Sequence, residues 1–530
     1  KRNLIYKEDN VVNWCPTCAS CVADMELKLV ETTEKQHSID IKIDTTITTL
    51  IFTQPEMFLG ATGIGITKSH ENYNILVGQN IWIPILNKKL KIYEVSLRSD
   101  INFNKNLRLI VPSYNVDDFN FAKKNKISIE KIYEDNGTIK FNCSSFSIKD
   151  IRSFIIKQLK KENINYSFEK FGQGKMIHSL CDTTIVPLIK SQWYMKMYKM
   201  EPKAREVFDK NKTLFSHDFW KKGHLGVLNN IVDSALPNKE KWWEGACVGV
   251  AQGYSSNKDW VISRQNWWGQ PIPVWYCNDC MEMIVDSKEP VKCTSCQSLN
   301  IYRDKDVLDV WFSCALWPIS VNPFDARGHF VDISIMGSDI FYFWVASSNM
   351  ICQEIYGKEA FKKAFVHGLL CDKDGKKMSK SLGNVISMEN IIDKYGAETL
   401  RSFVFGLMEK NSGTQWLKAG NNDISDANIN VNKIYKKLIE ITYEKGESSC
   451  DEIKELKNSV STKIDEMRIG EAYNLVLIFI NNYSLNKIIL NEKSYLELLL
   501  ILHPFHPFIS NYIYKSQLNG KKCLSEIYFI

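Results

Sequence analysis

Two lysines and two serines lie close together in the segment Lys377-Met-Ser-Lys-Ser381, which follows an apolar segment and Gly375. A lysine-rich pentapeptide is usually a solvated loop, but here a glycine hinge would let the loop close. Compact ammonium groups that close over a departing pyrophosphate stabilise its growing negative charge. The predicted nucleotide contacts of this loop are Lys377, Met378, Ser379 and Lys380, and the two lysines are the predicted catalytic residues.

A second pattern lies where two apolar segments end. Val331–Met336 is followed by Gly337-Ser-Asp339 and by a helical length of sequence, which predicts a strand, a turn and a helix. Asp339 could hold ribose hydroxyls beside a helix N-terminus, although it is equally suitable as an N-cap. In His367-Gly368 the glycine would let adenine approach the backbone. The nucleotide-site residues predicted from these two segments are Gly337, Asp339, His367 and Gly368.

Four cysteines have the spacing of a metal site. Cys277-x2-Cys280 is separated by twelve residues from Cys293-x2-Cys296. Four thiolates with this spacing can bind one ion tetrahedrally, with Zn–S distances of about 2.3 Å. Because no ligand position is left open, the pattern predicts a structural zinc site.

A further cysteine pair, Cys15 and Cys18, has no partner pair nearby in the sequence. His178-x2-Cys181 lies about 160 residues away and could complete a zinc site of three cysteines and one histidine. A long-range pairing of this kind is not visible in sequence, so this second site stays open at this stage.

Composition sets the class of protein. The 530 residues are 44% apolar and 24% charged, which is typical of a folded soluble chain of three or four compact units and excludes a single small module. The apolar runs are shorter than the roughly 18 residues of a membrane span, and no signal segment is visible, so we expect a cytoplasmic protein. A net charge of +6 permits a phosphate-bearing partner without requiring one.

Periodicity predicts the elements that position these residues. Short alternating apolar runs between about 36 and 185 predict a β-rich region that includes a helix over Ile148–Lys161. A second helix is expected near Met388–Tyr395, and the sequence after about 425 predicts an all-α bundle. His503 and His506 lie next to prolines and are expected to pack at a helix boundary.

The motifs occur in a recognisable order: Asn13-Trp-Cys-Pro16, Ile262–Pro273, Asp306–Ser313, Phe365-Val-His-Gly368 and Lys377–Ser381. In this order they resemble class I aminoacyl-tRNA synthetases. The double tryptophan Trp267-Trp268 and the stretch Trp311–Pro318 are more similar to valyl than to isoleucyl enzymes. The likeness extends to Gln192-Trp193, Gly396–Arg401 and Leu502–Ile509 and so covers nearly the whole chain.

The resemblance implies an α/β fold: a class I Rossmann-like nucleotide fold whose front half is missing, with a β-rich editing-type insertion, a zinc module and a C-terminal α-helical anticodon-binding bundle. The expected domains are a catalytic connection with a zinc-binding root (1–35), a degenerate editing-type insertion (36–185), a connective region with the four-cysteine zinc module (186–300), the second half of the catalytic fold (301–420) and the helical domain (421–530).

The implied reaction is activation of valine by magnesium-bound ATP, followed by transfer to tRNA, with zinc as a structural ion. Trp311 and Phe341 would lie near the amino-acid pocket. Thr53 and Asp118 would belong to the editing site, with Asp118 holding the substrate ammonium. We expect a monomer that binds tRNA, ATP and valine. The aromatic residues between 190 and 275 are expected to be mostly core, although some could stack on the unpaired 3′ end of tRNA.

Two departures from the family pattern affect this expectation. The paired-histidine ATP motif is not found, so we expect a fragment that is inactive by itself. In the insertion, Gln54 stands where the family has arginine and Asn115 where it has a carboxylate, which predicts weakened editing. The alternatives are a non-catalytic tRNA-binding pseudo-synthetase and an isoleucine–tRNA ligase.

Overall fold

The computed structural model describes residues 2–530 except 24–25, 44–45, 84–85, 97–104, 162–164, 211, 234–258, 323–328, 373–377, 379–382, 386, 411–415, 419–422, 447–449, 483–489 and 528–530. The chain forms two compact units. Unit 1 comprises Lys1–Glu201 and Ile231–Cys314, and unit 2 comprises Pro202–Asn230 and Ala315–Ile530. None of the helices in the described part of the chain combines the length and the apolar run that a bilayer crossing needs.

The largest sheet of unit 1 has seven strands in the order β11-β3-β4-β8-β5-β7-β6. Alternating apolar side chains from these strands form its core, together with one face of helix α3. The strands of this part of the chain are β1 Ile5–Cys15, β2 Ser20–Cys21, β3 Leu27–Ile43, β4 Thr46–Phe52, β5 Gly63–Ile66, β6 Asn80–Ile83, β7 Lys88–Glu94, β8 Leu107–Ile110, β9 Ile139–Phe141, β10 Ser144–Phe146, β11 Tyr166–His178 and β12 Val186–Met195, with helices α1 Tyr73–Leu76, α2 Val116–Asn125 and α3 Ile148–Lys161 and a 3₁₀ helix Pro55–Gly60.

Strands β3 and β11 form a long antiparallel ribbon that leads into this sheet. Thirteen residue pairs join them, from Leu27 opposite His178 to Ile39 opposite Tyr166. At the base of the ribbon, β1 pairs antiparallel with β12 over ten residues and with the short β2. The entry and exit of the β-rich region are therefore held together by backbone hydrogen bonds.

The rest of unit 1 is built from short strands. One three-stranded sheet has the order β15-β20-β16 and another the order β18-β17-β19, and the second carries the four-cysteine group. These elements are β14 Trp260–Val261, β15 Ser263–Arg264, β16 Gln270–Pro271, β17 Val274–Cys277, β18 Met283–Val285, β19 Ile301–Arg303 and β20 Val307–Leu308.

Unit 2 combines a parallel sheet with helices. The sheet has the order β13-β22-β21, and its strands are β13 Leu214–Phe215, β21 His329–Gly337 and β22 Glu359–His367. The remaining elements are β23 Leu369–Cys371, β24 Trp416–Lys418, β25 Tyr443–Glu444, β26 Leu490–Asn491, α4 Met197–Asp209, α5 Asp218–Asp233, α6 Val310–Ala315, α7 Trp317–Val321, α8 Ser338–Tyr356, α9 Met388–Tyr395, α10 Ala397–Lys410, α11 Asp423–Ile439, α12 Asp451–Asp465, α13 Ile469–Asn482, α14 Glu492–Leu502, α15 Pro507–Gln517 and α16 Leu524–Ile527. Of these, α4, α5 and α6 each have residues in both units.

Local predictions succeed unevenly. Helices α3 and α9 have the predicted bounds, and among the described residues after 425 the regular elements are helices apart from the two-residue strands β25 and β26. The predicted turn at Gly337–Asp339 is wrong, because β21 continues to Gly337 and α8 starts at the next residue. Gly337 is itself the N-cap of α8, so the chain passes from strand to helix without a separate turn.

Candidate functional site

The candidate nucleotide site lies at the ends of β21 and β22. These strands are parallel and in register, with Gly337 directly opposite His367. Asp339 lies in the first turn of α8, and Gly368 follows β22 directly. Ligands of open α/β sheets bind at the carboxyl ends of such strands, where helix N-termini present free N–H groups. The structure therefore brings the backbone of these four predicted residues to one sheet edge of unit 2.

The lysine-rich loop is described at one position only. Lys377, Ser379 and Lys380 lie outside the described residues, so their predicted roles are not examined by the structure. Met378 donates its backbone N–H to the carbonyl oxygen of Leu370 at 3.0 Å. Its side chain packs against the apolar cluster formed by α10 and α11, which includes Phe403, Leu407 and Ala427.

The two predicted pocket residues belong to different units. Phe341 is fully buried in unit 2, where the rings of Phe215 and Trp220 pack edge-on against it at 5.5 and 5.8 Å. Trp311 lies in the first turn of α6 in unit 1, and its backbone N–H donates to Oδ1 of Asp309 at 3.3 Å. Their assignment to an amino-acid pocket stays a prediction.

A buried arginine of the motif that contains Trp267 forms ion pairs with two carboxylates. The guanidinium of Arg264 lies 3.3 Å from Oδ2 of Asp309 and 3.3 Å from Oε2 of Glu26. Burial alone would lower the pKa of Arg264, but these two carboxylates outweigh it and raise the pKa. Sequence reasoning missed this group, although Arg264 and Asp309 both belong to the family motifs, because nothing in those motifs shows that the two residues meet.

The aromatic residues between 190 and 275 divide into two classes. Most of those described are core residues, as predicted, since Trp193, Trp260 and Trp275 are each less than 9% exposed. Trp267 and Trp268 are instead 93% and 77% exposed, with ring centres 5.9 Å apart. Alternating hydrophobicity does not distinguish these two tryptophans from the buried ones.

The four cysteines of the second cluster meet in one place. Cys277 and Cys280 lie where β17 ends, and Cys293 and Cys296 lie in the loop before β19. Their sulfur atoms all lie within 4.8 Å of one another, with 3.5 Å between Cys277 and Cys296. The group could hold a metal ion in a tetrahedral arrangement of thiolates.

The pairing that sequence left open is also present in the structure. Cys15, Cys18 and Cys181 place their sulfur atoms, and His178 its Nδ1 atom, within 4.8 Å of one another. Nδ1 of His178 is 3.5 Å from the sulfur of Cys18 and 3.3 Å from that of Cys181. The turn that follows β1 thus meets the end of the β3–β11 ribbon.

The donor set of this group of three cysteines and one histidine suits a soft divalent cation. Burial and the neighbouring thiols of Cys15 and Cys181 raise the pKa of Cys18 to about 12. Several thiolates cannot form side by side without a compensating positive charge. A bound cation would supply that charge, and the distances between the donors fit a single ion.

The two predicted editing residues lie close to the 3₁₀ helix and to α2. The hydroxyl of Thr53 is half-buried and contacts the sulfur of Met57 at 4.0 Å. Asp118 is 1% exposed; Oδ1 lies 2.9 Å from the Arg108 guanidinium, and Oδ2 accepts from the N–H of Val111 at 2.8 Å. This carboxylate is paired within the fold, and its assignment to the editing site stays a prediction.

Both replaced residues of the insertion lie at helix starts, and one of them has a structural role. Asn115 is the N-cap of α2 and accepts the backbone N–H of Asp118 at 2.8 Å. Gln54 precedes the 3₁₀ helix as its N-cap residue without a side-chain cap bond. An amide at position 115 caps the helix as a carboxylate would, but it carries no charge.

Comparison with known proteins identifies the family. Residues 1–250 and 251–416 match the family model described as tRNA synthetases class I (I, L, M and V). A valine–tRNA ligase of Clostridium tetani is 32% identical over 451 residues, which cover 82% of this chain and 47% of the relative. A valine–tRNA ligase of Petrotoga mobilis is 33% identical over 409 residues, covering 75% of this chain and 44% of the relative.

The chain spans about half the length of the curated relatives it matches. A solved ternary complex of Agrobacterium radiobacter K84 agnB2 LeuRS with tRNA and LeuAMS overlaps 99% of this chain and 72% of that chain, at 13% identity and a TM-score of 0.47. The family model covers most of the residues, including unit 1, the part of unit 2 up to residue 416 and the strand ends described above. The chain therefore belongs to the class I tRNA synthetases of the isoleucine, leucine, methionine and valine group.

Proposed function

We propose that this chain is part of a valine–tRNA ligase, which activates valine with ATP and transfers it to tRNA. The observation that carries the proposal is the similarity, at 32 and 33% identity, to two curated valine–tRNA ligases across most of the chain. The in-register ends of β21 and β22 support it, since they form the kind of sheet edge at which nucleotides bind.

The proposed catalytic groups are Lys377 and Lys380. Their ammonium groups would neutralise the phosphates of ATP and stabilise the charge that develops on pyrophosphate as it leaves. Gly337, Asp339, His367 and Gly368 would line the adenosine side of the same site. The absence of a side chain at Gly337 and Gly368 would leave the backbone open to the nucleotide.

We propose that both cysteine groups bind zinc and that the ion has a structural role. Four soft donors within 4.8 Å of one another support this assignment, and each group provides a complete set of four ligands. When bound, zinc supplies positive charge that keeps the thiols ionised.

The zinc proposal is tested by metal analysis of the purified chain. We expect two equivalents of zinc, and one equivalent after either Cys18→Ser or Cys280→Ser. Cys143→Ser is the matched control, because Cys143 is exposed and belongs to neither group. A chain that retained two equivalents after both substitutions would exclude these ligand sets.

Editing of threonyl-tRNA is proposed to be weak. The support is the uncharged amide of Asn115 at the start of α2 and the burial of the nearby carboxylate of Asp118. Hydrolysis of threonyl-tRNA by the purified protein should be slow, and restoring charge with Asn115→Asp and Gln54→Arg should accelerate it. A rate equal to that of an intact family member would contradict the proposal.

The amino-acid specificity is tested by pyrophosphate exchange with the complete gene product. We expect exchange that depends on valine and that is much weaker with isoleucine. Exchange with isoleucine alone would instead indicate an isoleucine–tRNA ligase. Binding of tRNA without exchange for any amino acid would instead indicate a non-catalytic relative.

A further inference from the structure

The exposed face of α3 carries four lysines. Ile151, Ile155 and Leu159 on the opposite face are all fully buried and pack into the core of the seven-stranded sheet. At 100° per residue, the exposed lysines fall within about 120° of the helix circumference, centred opposite those three residues. These lysines, which we call the basic face of α3, are Lys149, Lys157, Lys160 and Lys161.

The charge of this face is not neutralised by neighbouring side chains. Among the residues that the structure describes, none of the four lysines forms an ion pair with a carboxylate. The one basic residue of α3 that is paired, Arg152, lies beside the buried Glu56 at 2.7 Å. The one acidic residue of the helix, Asp150, is exposed on the same side and accepts the hydroxyl of Ser147 at the helix start, so the four lysines leave this side with a net charge of +3.

Helix stability accounts for only part of this pattern. Lys160 and Lys161 lie in the last turn, where positive charge interacts favourably with the helix dipole. Lys149 lies in the first turn, where the same dipole disfavours a cation. A lysine at that position costs helix stability and has no acidic partner within the described fold, so its charge faces solvent on the same side as the others.

The concentration of charge also exceeds what the whole chain shows. The helix carries five basic residues and one acidic residue, a net of +4, whereas all 530 residues together carry +6. From Lys149 to Lys161 the helix spans about 18 Å. A nucleic-acid duplex presents about ten phosphates over such a length, counted on both strands. A membrane surface does not fit, because the apolar face of α3 is buried in the sheet.

We propose that the basic face of α3 binds the phosphate backbone of tRNA. This inference rests on the proposed function, and it names the surface of the β-rich region that would hold the nucleic acid. The lysines would contact phosphates and therefore position the tRNA without reading its sequence.

The test compares two variants of the 530-residue chain, each with four lysines replaced. The first is K149Q/K157Q/K160Q/K161Q. The control is K42Q/K89Q/K131Q/K175Q, which changes the net charge equally at exposed lysines of the same region outside α3. Glutamine has nearly the helix propensity of lysine, so α3 should remain folded, and circular dichroism verifies this.

Binding of a tRNA transcript is measured at several salt concentrations. We expect the α3 variant to lower the magnitude of the slope of log K against log salt by about 3 and to weaken binding roughly tenfold or more at 0.1 M salt. The control should change both quantities much less. An RNA duplex of unrelated sequence should show the same loss, because phosphates are the ligands.

The outcomes separate the two proposals. If the parent chain binds tRNA and the two variants bind alike, the inference about α3 is wrong and the proposed function stands. If the parent chain binds neither RNA, the inference about α3 is wrong, and the exchange assay on the complete gene product still decides the proposed function. If polyglutamate competes with tRNA for the parent chain but not for the α3 variant, the face is a site for acidic polypeptides, which also overturns the inference.

Discussion

At the scale of single residues, Glu56 shows how a buried carboxylate is held. It is fully buried, accepts two hydrogen bonds of 2.7 Å from the Arg152 guanidinium and accepts a third from the hydroxyl of Tyr133 at 2.9 Å. A bidentate guanidinium provides both charge and geometry for such a group. The interaction joins the 3₁₀ helix to α3 and so fixes the helix that carries the basic face.

We predict that Glu56→Gln lowers the free energy of unfolding by about 2 to 4 kcal/mol, because it leaves the guanidinium without its counter-charge. Urea unfolding, combined with hydrogen exchange of the α3 amides, measures the change. The matched control is Asp135→Asn, which breaks an exposed ion pair with Lys190 and should cost less than about 1 kcal/mol. Equal losses in the two variants would contradict the prediction.

His37 gives unit 1 a sensitivity to acid. The ring is 4% exposed, stacks on Phe52 and contacts the hydroxyl of Tyr166 at 2.7 Å. Burial, with smaller contributions from Lys35 and Arg152, lowers the pKa of His37 to about 4. Above pH 6.5 the ring is neutral in both the folded and the unfolded chain, so its titration has no effect on stability there.

Between pH 6.5 and about 4, the unfolded chain binds a proton that the folded chain does not bind. We therefore predict that stability falls by about 2 to 3 kcal/mol over this range and that the effect levels off below it. In His37→Phe, which keeps the ring stack, this part of the loss should be absent. Thermal unfolding of both proteins at pH 7.5 and 4.5 checks the prediction. An equal loss of stability in the two proteins between these pH values would argue against it.

Some residue roles could not be predicted from the sequence. The meeting of Cys15 and Cys18 with His178 and Cys181 depends on strand pairing across about 160 residues, which no local pattern reveals. The burial of Asp118 depends in the same way on Arg108 of the neighbouring strand. By contrast, the second cysteine group was predictable, because all four ligands lie within twenty residues.

At the scale of elements, α10 and α15 are joined by a half-buried acid, Glu398. The carboxylate of Glu398 lies 2.7 Å from Nδ1 of His506 and accepts hydrogen bonds from the backbone N–H groups of Phe508 and Ile509 at 2.7 and 3.0 Å. His506 is fully buried and also contacts the hydroxyl of Tyr473, which confirms its expected packing at a helix boundary. Burial would raise the pKa of Glu398, but these hydrogen bonds outweigh it and lower the pKa.

We predict that Glu398→Gln destabilises the helical part of unit 2 by about 2 to 3 kcal/mol at pH 7, since it removes a charge-assisted cap from α15. Because the folded-state pKa lies below its ordinary value, the advantage of the native protein is complete above pH 4.5. It is lost as the pH falls through the lower folded value. Urea unfolding at pH 7 and pH 3 measures the difference, and an equal difference at both pH values would show that the charge is irrelevant.

Element bounds were predictable where one face is plainly apolar. Helix α3 was predicted correctly because Ile151, Ile155 and Leu159 repeat at helical spacing. The start of α8 was not predictable, since the capping residue is Gly337 and glycine also indicates a turn. Strand β3 begins twelve residues before the predicted Ile39–Ile43. This earlier part of the sequence is largely polar, and it is a strand because it pairs with β11.

At the scale of the whole molecule, both candidate metal groups belong to unit 1. The helical part of unit 2 has a core of apolar residues from α11 to α16, without such a group among the residues described. We therefore predict that a strong chelator raises hydrogen exchange in β3, β11 and β17 by roughly tenfold or more, because metal binding stabilises the local fold. Exchange in α13 and α14 should remain unchanged.

Exchange measured by mass spectrometry, with and without the chelator, provides the comparison. Cys18→Ser should reproduce the effect of the chelator in β11 but not in β17, and Cys280→Ser should do the reverse. Uniform acceleration of both units would mean that the chelator unfolds the protein globally. That result would contradict the assignment of the metal groups to local structure.

The β3–β11 ribbon also bears on how the chain avoids misfolding. An antiparallel ribbon that is largely polar specifies its alignment weakly, and a slip by one residue would turn every side chain to the opposite side. Such a slip would carry His178 about 3.3 Å along the strand and point its ring away from Cys18 and Cys181. The four donors can converge only in the native alignment, so formation of the cluster at the ribbon's base favours the native strand register over a shifted one.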